Sequence, residues 1–316
     1  MPGFDRLSRR AALGGLATAT ALPLLGAVPA FAEAPMLGAA KPEFYRFGLG
    51  AFEVTTLRDG AIQLDGPHPI FGEDQPVETV RALAEERFLP PDRMAIGFAP
   101  MLVNTGAELV LFDAGNGPER RPDAGNLVAS LAAAGYTPDQ VDIVVITHMH
   151  PDHIGGLMTE GAPTYPNARC VTAAPEFDFW SAQADAQLVQ SNVMPLAERT
   201  TMIGDGDAAA SGITAVAAFG HTPGHTAWHL ESDGERLLLW ADTSNHYVLS
   251  VQRPDWHVRF DMDKEAAAAT RHRLFDMAAT DRIPVTGYHM PFPAVGYVER
   301  TPNSFRWVQS SYQLDL

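Results

Sequence analysis

The stretch Thr147-His148-Met149-His150-Pro151-Asp152-His153 gathers three imidazoles and a carboxylate. All four are donors for a zinc-like ion, which imidazole nitrogen and carboxylate oxygen bind at about 2.0–2.2 Å. His148 and His150 alternate along an extended chain and point the same way. Asp152 and His153, beyond Pro151, face a second ion, and Gly155-Gly156 lets the backbone turn away at no steric cost. Four donors do not complete two sites. Three later positions each end an apolar run: His225 in the GHTPGHT stretch at 220–226, Asp242 after 237–241, and His289 after 283–288. A carboxylate at the end of a buried strand is costly unless a cation meets it. Asp242 therefore reads as a ligand shared between two ions, whose joint field brings the pKa of a water between them towards neutrality.

The remaining histidines read differently. His221 opens the GHTPGHT turn four residues before His225 and is expected to be a local hydrogen-bonding partner. His229 falls in a strand beside Trp228 and His272 on the solvent face of a helix. His246, four residues after Asp242, divides evenly between pocket wall and loop. Cys170 is the only cysteine of the chain, which excludes an internal disulfide and a multi-thiolate metal site. Its place in the apolar run 168–172 makes it a small buried residue. A formal net charge of -16, with no Lys/Arg cluster beyond the first ten residues, argues against nucleic acid or a stable hold on an anionic membrane. No Gly-x-Ser-x-Gly elbow is present to suggest a serine nucleophile.

The elements that must position these donors follow from periodicity and punctuation. A strand is expected over 45–58, ending in Asp59-Gly60. A helix is expected over 75–88, stopped by Pro90-Pro91. Strands at 97–104 and 108–113 flank the turn Thr105-Gly106, and a helix at 127–134 closes on Gly135. The run VDIVVIT at 141–147 suits a strand covered on both faces, which puts the His-rich loop at a strand's C-terminal end. Further strands are expected at 168–172, 213–219, 237–241 and 283–286, with the clearest helix at 263–279. Two sheets with helices on their outer faces fit this order, within one domain spanning 45–316. Ahead of it, 33–44 reads as a loose arm. Residues 1–32 carry Ser8-Arg9-Arg10, an apolar small-residue run at 11–28 and the A-x-A site Ala30-Phe31-Ala32. That is a twin-arginine export signal, which implies a periplasmic or secreted protein.

The set HMHPDH, GHTPGHT, LWADT and GYHMPFP, in this order, resembles the metallo-β-lactamase fold superfamily in its dinuclear hydrolase branch. Within it the stretches LVNTGAELVLFDAG and GYTPDQVDIVVITHMHPDHIGGLM, and Pro291-Phe292-Pro293, look like methyl parathion hydrolase and related lactonases. The resemblance implies an α/β fold, a four-layer αββα sandwich with the metals at one edge. It implies one ion held by His148, His150 and His225, a second by Asp152, His153 and His289, with Asp242 bridging. Asp113 would orient the His-rich loop. The ions would be divalent, zinc first, with manganese, cobalt or iron accepted by the same donors. Asp152 would take a hydrogen bond from the attacking water and pass a proton to the leaving group.

The implied activity is hydrolysis of lactones or aryl esters, with organophosphate triesters as a side activity. Its rivals are acyl-homoserine-lactone quorum quenching and, from another class, a metal-binding module without catalysis. The expected partner is a small ester or lactone, and a homodimer is common among the relatives. Phe177, Trp180, His246 and Trp256 are the candidate pocket residues, Trp180 by its match to a pocket aromatic of those relatives. The chain departs from them at 116–122, charged where they carry an aromatic, and at 187–198, which lacks their paired phenylalanines. Both departures favour a lactone or aryl ester over a phosphotriester as the main substrate.

Overall fold

The run around Val144 becomes the strand Ile143–Val145, at the centre of a sheet. It is flanked by Leu109–Phe112 and Arg169–Ala173, both parallel to it. The computed structural model describes Met36 and residues 38–311. The expected export signal at 1–32 lies outside the described residues, as does part of the arm at 33–44. From Lys41 onward the chain forms one compact unit.

Among the described residues there are two sheets of seven strands. The first runs, in spatial order, Phe44–Leu49, Phe52–Leu57, Met101–Asn104, Leu109–Phe112, Ile143–Val145, Arg169–Ala173 and Thr200–Ile203. The second runs Ala208–Ala210, Ile213–Ala217, Thr226–Ser232, Glu235–Leu239, Val285–Thr286, Val295–Arg300 and Phe305–Gln309. Alternation along each strand decides which neighbour a side chain meets. Ile143 and Val145 point to the other sheet, where with Val54, Val103 and Val110 they meet Ile213, Trp228, Leu230 and Leu237. Val144 points the opposite way and packs with Leu127 and Leu131 of the helix Leu127–Ala133. On the far side Leu238 and Trp240 pack with Leu274, Phe275 and Ala278 of the helix Lys264–Asp281. Helix, sheet, sheet and helix are thus stacked as four layers. Strands covered on both faces read as unbroken apolar runs for this reason. Burying a side chain such as Phe275 contributes about 1.5–3 kcal/mol.

Two expected strands come apart, and one break matters for the site. The run 45–58 is a hairpin, Phe44–Leu49 against Phe52–Leu57, because Gly50 turns the chain at φ 57°. The run 97–104 divides at Ala99-Pro100. Its second half, Met101–Asn104, stays in the main sheet, while Phe98 ends the strand Arg93–Phe98, which pairs with Gly60–Asp65 in a separate two-stranded sheet. This separate two-stranded sheet carries Ile62, Leu64, Ile96 and Phe98 to the wall of a cavity. The helix expected over 75–88 is Val77–Glu86, ending two residues short of Phe88, which turns left-handed at φ 59°.

Candidate metal centre

The His-rich loop is pinned at both ends by one carboxylate. Asp113, left-handed at φ 63° after Leu109–Phe112, accepts from the Thr147 amide at 2.8 Å and its hydroxyl at 2.9 Å. Its Oδ2 also meets Nδ1 of His153 at 2.8 Å, leaving Nε2 of that ring aimed inward. Asp113 thus contacts the loop at both Thr147 and His153. The two glycines that follow serve close approach: a Cβ on Gly156 would sit 2.1 Å from the Ala114 carbonyl oxygen, and one on Gly155 2.5 Å from the Gly117 amide.

The donors converge in two groups sharing Asp242. In the first, Nδ1 of His150 lies 3.1 Å from Nε2 of His148 and 3.0 Å from Nε2 of His221. Asp242 Oδ2 stands 3.3 Å from His221 Nε2 and 3.8 Å from His148 Nε2. In the second, Asp152 Oδ2 is 3.6 Å from His153 Nε2 and 3.5 Å from His289 Nε2. Asp242 reaches this group too, with Oδ1 at 3.3 Å from His153 Nε2 and Oδ2 at 3.0 Å from His289 Nε2. Tetrahedral ligands at about 2.0–2.1 Å from an ion are roughly 3.3–3.4 Å from one another, close to these separations. Within each group the ligand atoms lie no more than 4.8 Å apart. His153 Nε2 and Asp242 Oδ1 are buried and have no hydrogen-bond partner among the described residues. Orphaned polar atoms of this kind are rare in a folded interior, and here both face positions where an ion would satisfy them. The residues present fit metal ions.

Electrostatics point the same way. Burial and the neighbouring His221 push His150 down to about 3, so it stays neutral with its lone pair open. Burial also draws His221 down, but hydrogen bonds and charge from Asp242 and Asp261 outweigh it and hold the ring up at about 9. Burial would raise the Asp242 carboxyl, yet His289 and His153 hold it well below the usual range. Without an ion, protons on the rings must supply the positive charge that Asp242 and its neighbours demand. A dication meets the same demand and frees the ring nitrogens to bind it.

One expected ligand is replaced. His225 is buried, but its Nδ1 meets the Ala218 carbonyl at 2.9 Å and its Nε2 accepts from the Asp242 amide at 3.0 Å. Neither nitrogen is left for an ion. His221, expected to serve only as a local hydrogen-bonding partner, takes the position instead. Both residues sit in one Pro-Gly turn, so only the direction of approach to the His148 loop separates them. His229 is half-buried on Thr226–Ser232, and His272 is half-exposed with Nε2 at 2.6 Å from Asp255. Cys170 is buried in Arg169–Ala173.

Several supporting residues carry no sequence signal of their own. Glu176, fully buried, takes four hydrogen bonds: Met149 amide (2.8 Å) and Trp180 Nε1 (2.7 Å) on Oε1, Thr222 hydroxyl (2.7 Å) and Gly224 amide (2.9 Å) on Oε2. It clamps the His148 and His221 loops together. Asn245 donates to Asp242 Oδ2 at 2.9 Å. The Tyr288 hydroxyl donates to the Asp152 carbonyl at 2.6 Å, and its ring lies 3.9 Å from that of His153. His289 is steered by the Gly97 carbonyl, 2.8 Å from its Nδ1.

A cavity of about 340 Å³ opens on the cluster, floored by His150, Asp152, Asp242 and His289. Ile62, Leu64, Ile96, Phe98 and Phe260 make its apolar wall, and Arg120 is the one cation among the described lining residues apart from the imidazoles. None of the four expected pocket residues lines it. Phe177 packs on the outer helical layer. Trp180 is held by Glu176 with its ring 6.1 Å from that of His150. Trp256 is buried with Phe71, Val80 and Val258. His246 faces a different cavity, its Nδ1 accepting from the Val248 and Leu249 amides. Aromatic residues were expected to form the wall, whereas aliphatic residues on a two-stranded sheet distant in sequence supply most of it.

Comparison with known proteins gives the family and the fold. The family model described as the metallo-beta-lactamase superfamily matches residues 100–284. A hydroxyacylglutathione hydrolase of Nitrobacter hamburgensis is 29% identical over 124 residues, 39% of this chain and 40% of that protein. One of Rhodopseudomonas palustris is 29% identical over 125 residues, again 39% and 40%. The chain thus spans about 40% of the length of the curated relatives it matches. Among solved structures, AidC, a dizinc quorum-quenching lactonase in complex with a product, superposes with a TM-score of 0.78 at 25% identity, covering 85% of this chain and 98% of that one. The hydrolase AbOPH of the β-lactamase superfamily gives 0.80 at 25% identity, with 87% and 99% covered.

Proposed function

Because this chain belongs to the metallo-β-lactamase superfamily, we propose that it is a hydrolase that opens lactones with two divalent ions, zinc first. The carrying observation is that Asp242 stands in both donor groups at the floor of an apolar cavity. His148, His150 and His221 would hold one ion and Asp152, His153 and His289 the other, with Asp242 between them. When bound, such ions supply a water activated near neutral pH and polarise the carbonyl to be attacked.

The chain's own residues do the rest. Asp152 lines the cavity and its side chain keeps 20% of its surface exposed, against 4% for Asp242. It is the carboxylate placed to accept the proton of the attacking water and return it to the alkoxide that leaves when the ring opens. Tyr288 holds it there through the backbone. Ile62, Leu64, Ile96, Phe98 and Phe260 receive an apolar acyl or aryl substituent and keep bulk water from it. An acyl-homoserine lactone, with an alkyl chain beside its ring, suits this wall, and the likeness to AidC supports that class. Neutral phosphotriesters enter the same wall as side substrates. Arg120 supports a second reading, an anionic thioester such as a hydroxyacylglutathione, the substrate named for the curated relatives. The Ser8-Arg9-Arg10 segment supports export by the twin-arginine route.

A panel assay of zinc-loaded protein tests this. Acyl-homoserine lactones of graded chain length, an aryl lactone, a nitrophenyl phosphotriester, a hydroxyacylglutathione and a cephalosporin are compared by kcat/KM. Lactones are expected to lead. A thioester or phosphotriester turned over faster than every lactone overturns the substrate reading, and a zinc content near zero overturns the two-ion centre.

A further inference from the structure

Behind His221 lies a buried chain of charge that never reaches the cavity. Nδ1 of His221 is 2.8 Å from Oδ1 of Asp261, whose Oδ2 accepts from Nη1 of Arg271 at 2.7 Å. Both the Asp261 and Arg271 side chains are fully enclosed. Arg271, on the helix Lys264–Asp281, places its other donors on the Pro254 carbonyl (Nε, 2.7 Å) and the Trp256 carbonyl (Nη2, 3.1 Å). The backbone runs alongside: the Met262 amide donates to the His221 carbonyl and the Asp263 amide to that of Gly220.

Removing a carboxylate and a guanidinium from water costs more than their attraction usually returns, and apolar residues of similar volume would fill the space as well. What the pair does here that apolar residues cannot do is accept the Nδ1 proton of His221. That fixes the tautomer and the ring angle, and leaves the Nε2 lone pair directed at His150 (3.0 Å) and Asp242 (3.3 Å). The other donor group is supported differently. His153 is backed by Asp113, whose other hydrogen bonds come from the amide and hydroxyl of Thr147, and His289 by a carbonyl.

We propose that Asp261 and Arg271 are positioning residues for His221, so that zinc affinity of the His148–His150–His221 group depends on them and that of the Asp152–His153–His289 group does not. The proposal rests on the two-ion reading above, and its test separates the two. Zinc is titrated against a chromophoric chelator on the purified holoenzyme. In the parent, two zinc ions are expected, and none would overturn the two-ion reading together with this inference. In Asp261→Asn, affinity for one ion is expected to fall about 10–100-fold while the other is unchanged. Because that variant leaves Arg271 buried without its counter-charge, the uncharged pair Asp261→Asn/Arg271→Gln is measured beside it. Circular dichroism melting of the metal-free forms reports their folding. In a His221→Ala background, Asp261→Asn should change the remaining affinity less than about twofold. A parent with two ions and a folded variant that keeps both affinities overturns the inference alone. So does an equal loss at both ions, or an undiminished loss in the His221→Ala background.

Discussion

The backbone amide of Asp242 donates to Nε2 of His225 across 3.0 Å. A residue that looks like a metal ligand in the sequence is therefore a strut beneath the carboxylate shared by both donor groups. His225→Ala is expected to keep the parent zinc content and lose about 1–3 kcal/mol of stability, since two buried backbone groups lose their partners. His221→Ala should instead lose one ion. Elemental analysis after gel filtration, with a denaturant melt, checks both. Zinc lost on changing His225 and kept on changing His221 would return His225 to the ligand set.

Glu176 joins the two loops that carry the first donor group. Glu176→Ala strands four donors in the interior, and at about 1–3 kcal/mol for each unsatisfied buried group a loss of at least about 3 kcal/mol is expected. Glu176→Gln keeps one acceptor oxygen and should lose less. The urea midpoints of the two variants measure this, and an alanine variant as stable as the parent rules the clamp out.

His246 is neutral in the fold, its pKa pushed down to about 4 by burial beside Phe71 and Tyr247. The unfolded chain takes up that proton near 6.5, so between 6.5 and 4 the unfolded state binds more protons. The stability it lends is whole above about 6.5 and drains away as pH falls towards 4, by about 3 kcal/mol in all. His246→Asn can still accept from the Val248 and Leu249 amides and should flatten that part of the stability profile. Parallel slopes for parent and variant across pH 4–6.5 would refute the assignment.

The apolar wall predicts chain-length selectivity. Ile62→Ala and Ile96→Ala remove contacts from the apolar wall without touching a donor, so kcat/KM for a long-chain lactone should fall about tenfold while that for the shortest is nearly unchanged. An equal fall for every chain length would place the effect on the metal centre. Arg120→Ala should leave neutral lactones untouched and weaken inhibition by the hydroxy-acid product, read from progress curves.

Much of this was legible before folding, because donor chemistry is local. HMHPDH states its ligand types and spacing in six residues, and the short β-branched run VDIVVIT suits a covered strand, which forms over Ile143–Val145. The layering follows from the same alternation that points Val144 one way and Ile143 and Val145 the other.

Other features belong to contacts between segments far apart in the chain. His221 and His225 have the same chemistry and share one turn; the Asp242 amide and Asp261 carboxylate, reached only when the second sheet and the helix Lys264–Asp281 close, give them opposite tasks. Most of the cavity wall comes from Gly60–Asp65 and Arg93–Phe98, an antiparallel pair whose break from the main sheet at Ala99-Pro100 no run of apolar residues announces. The sequence by itself determined which atoms can bind metal and which strands are buried, because both are properties of side chains and their period. Only the tertiary structure decided which histidine joins the donor cluster and which surface lines the cavity, because both depend on where distant backbone offers a hydrogen bond or leaves a space.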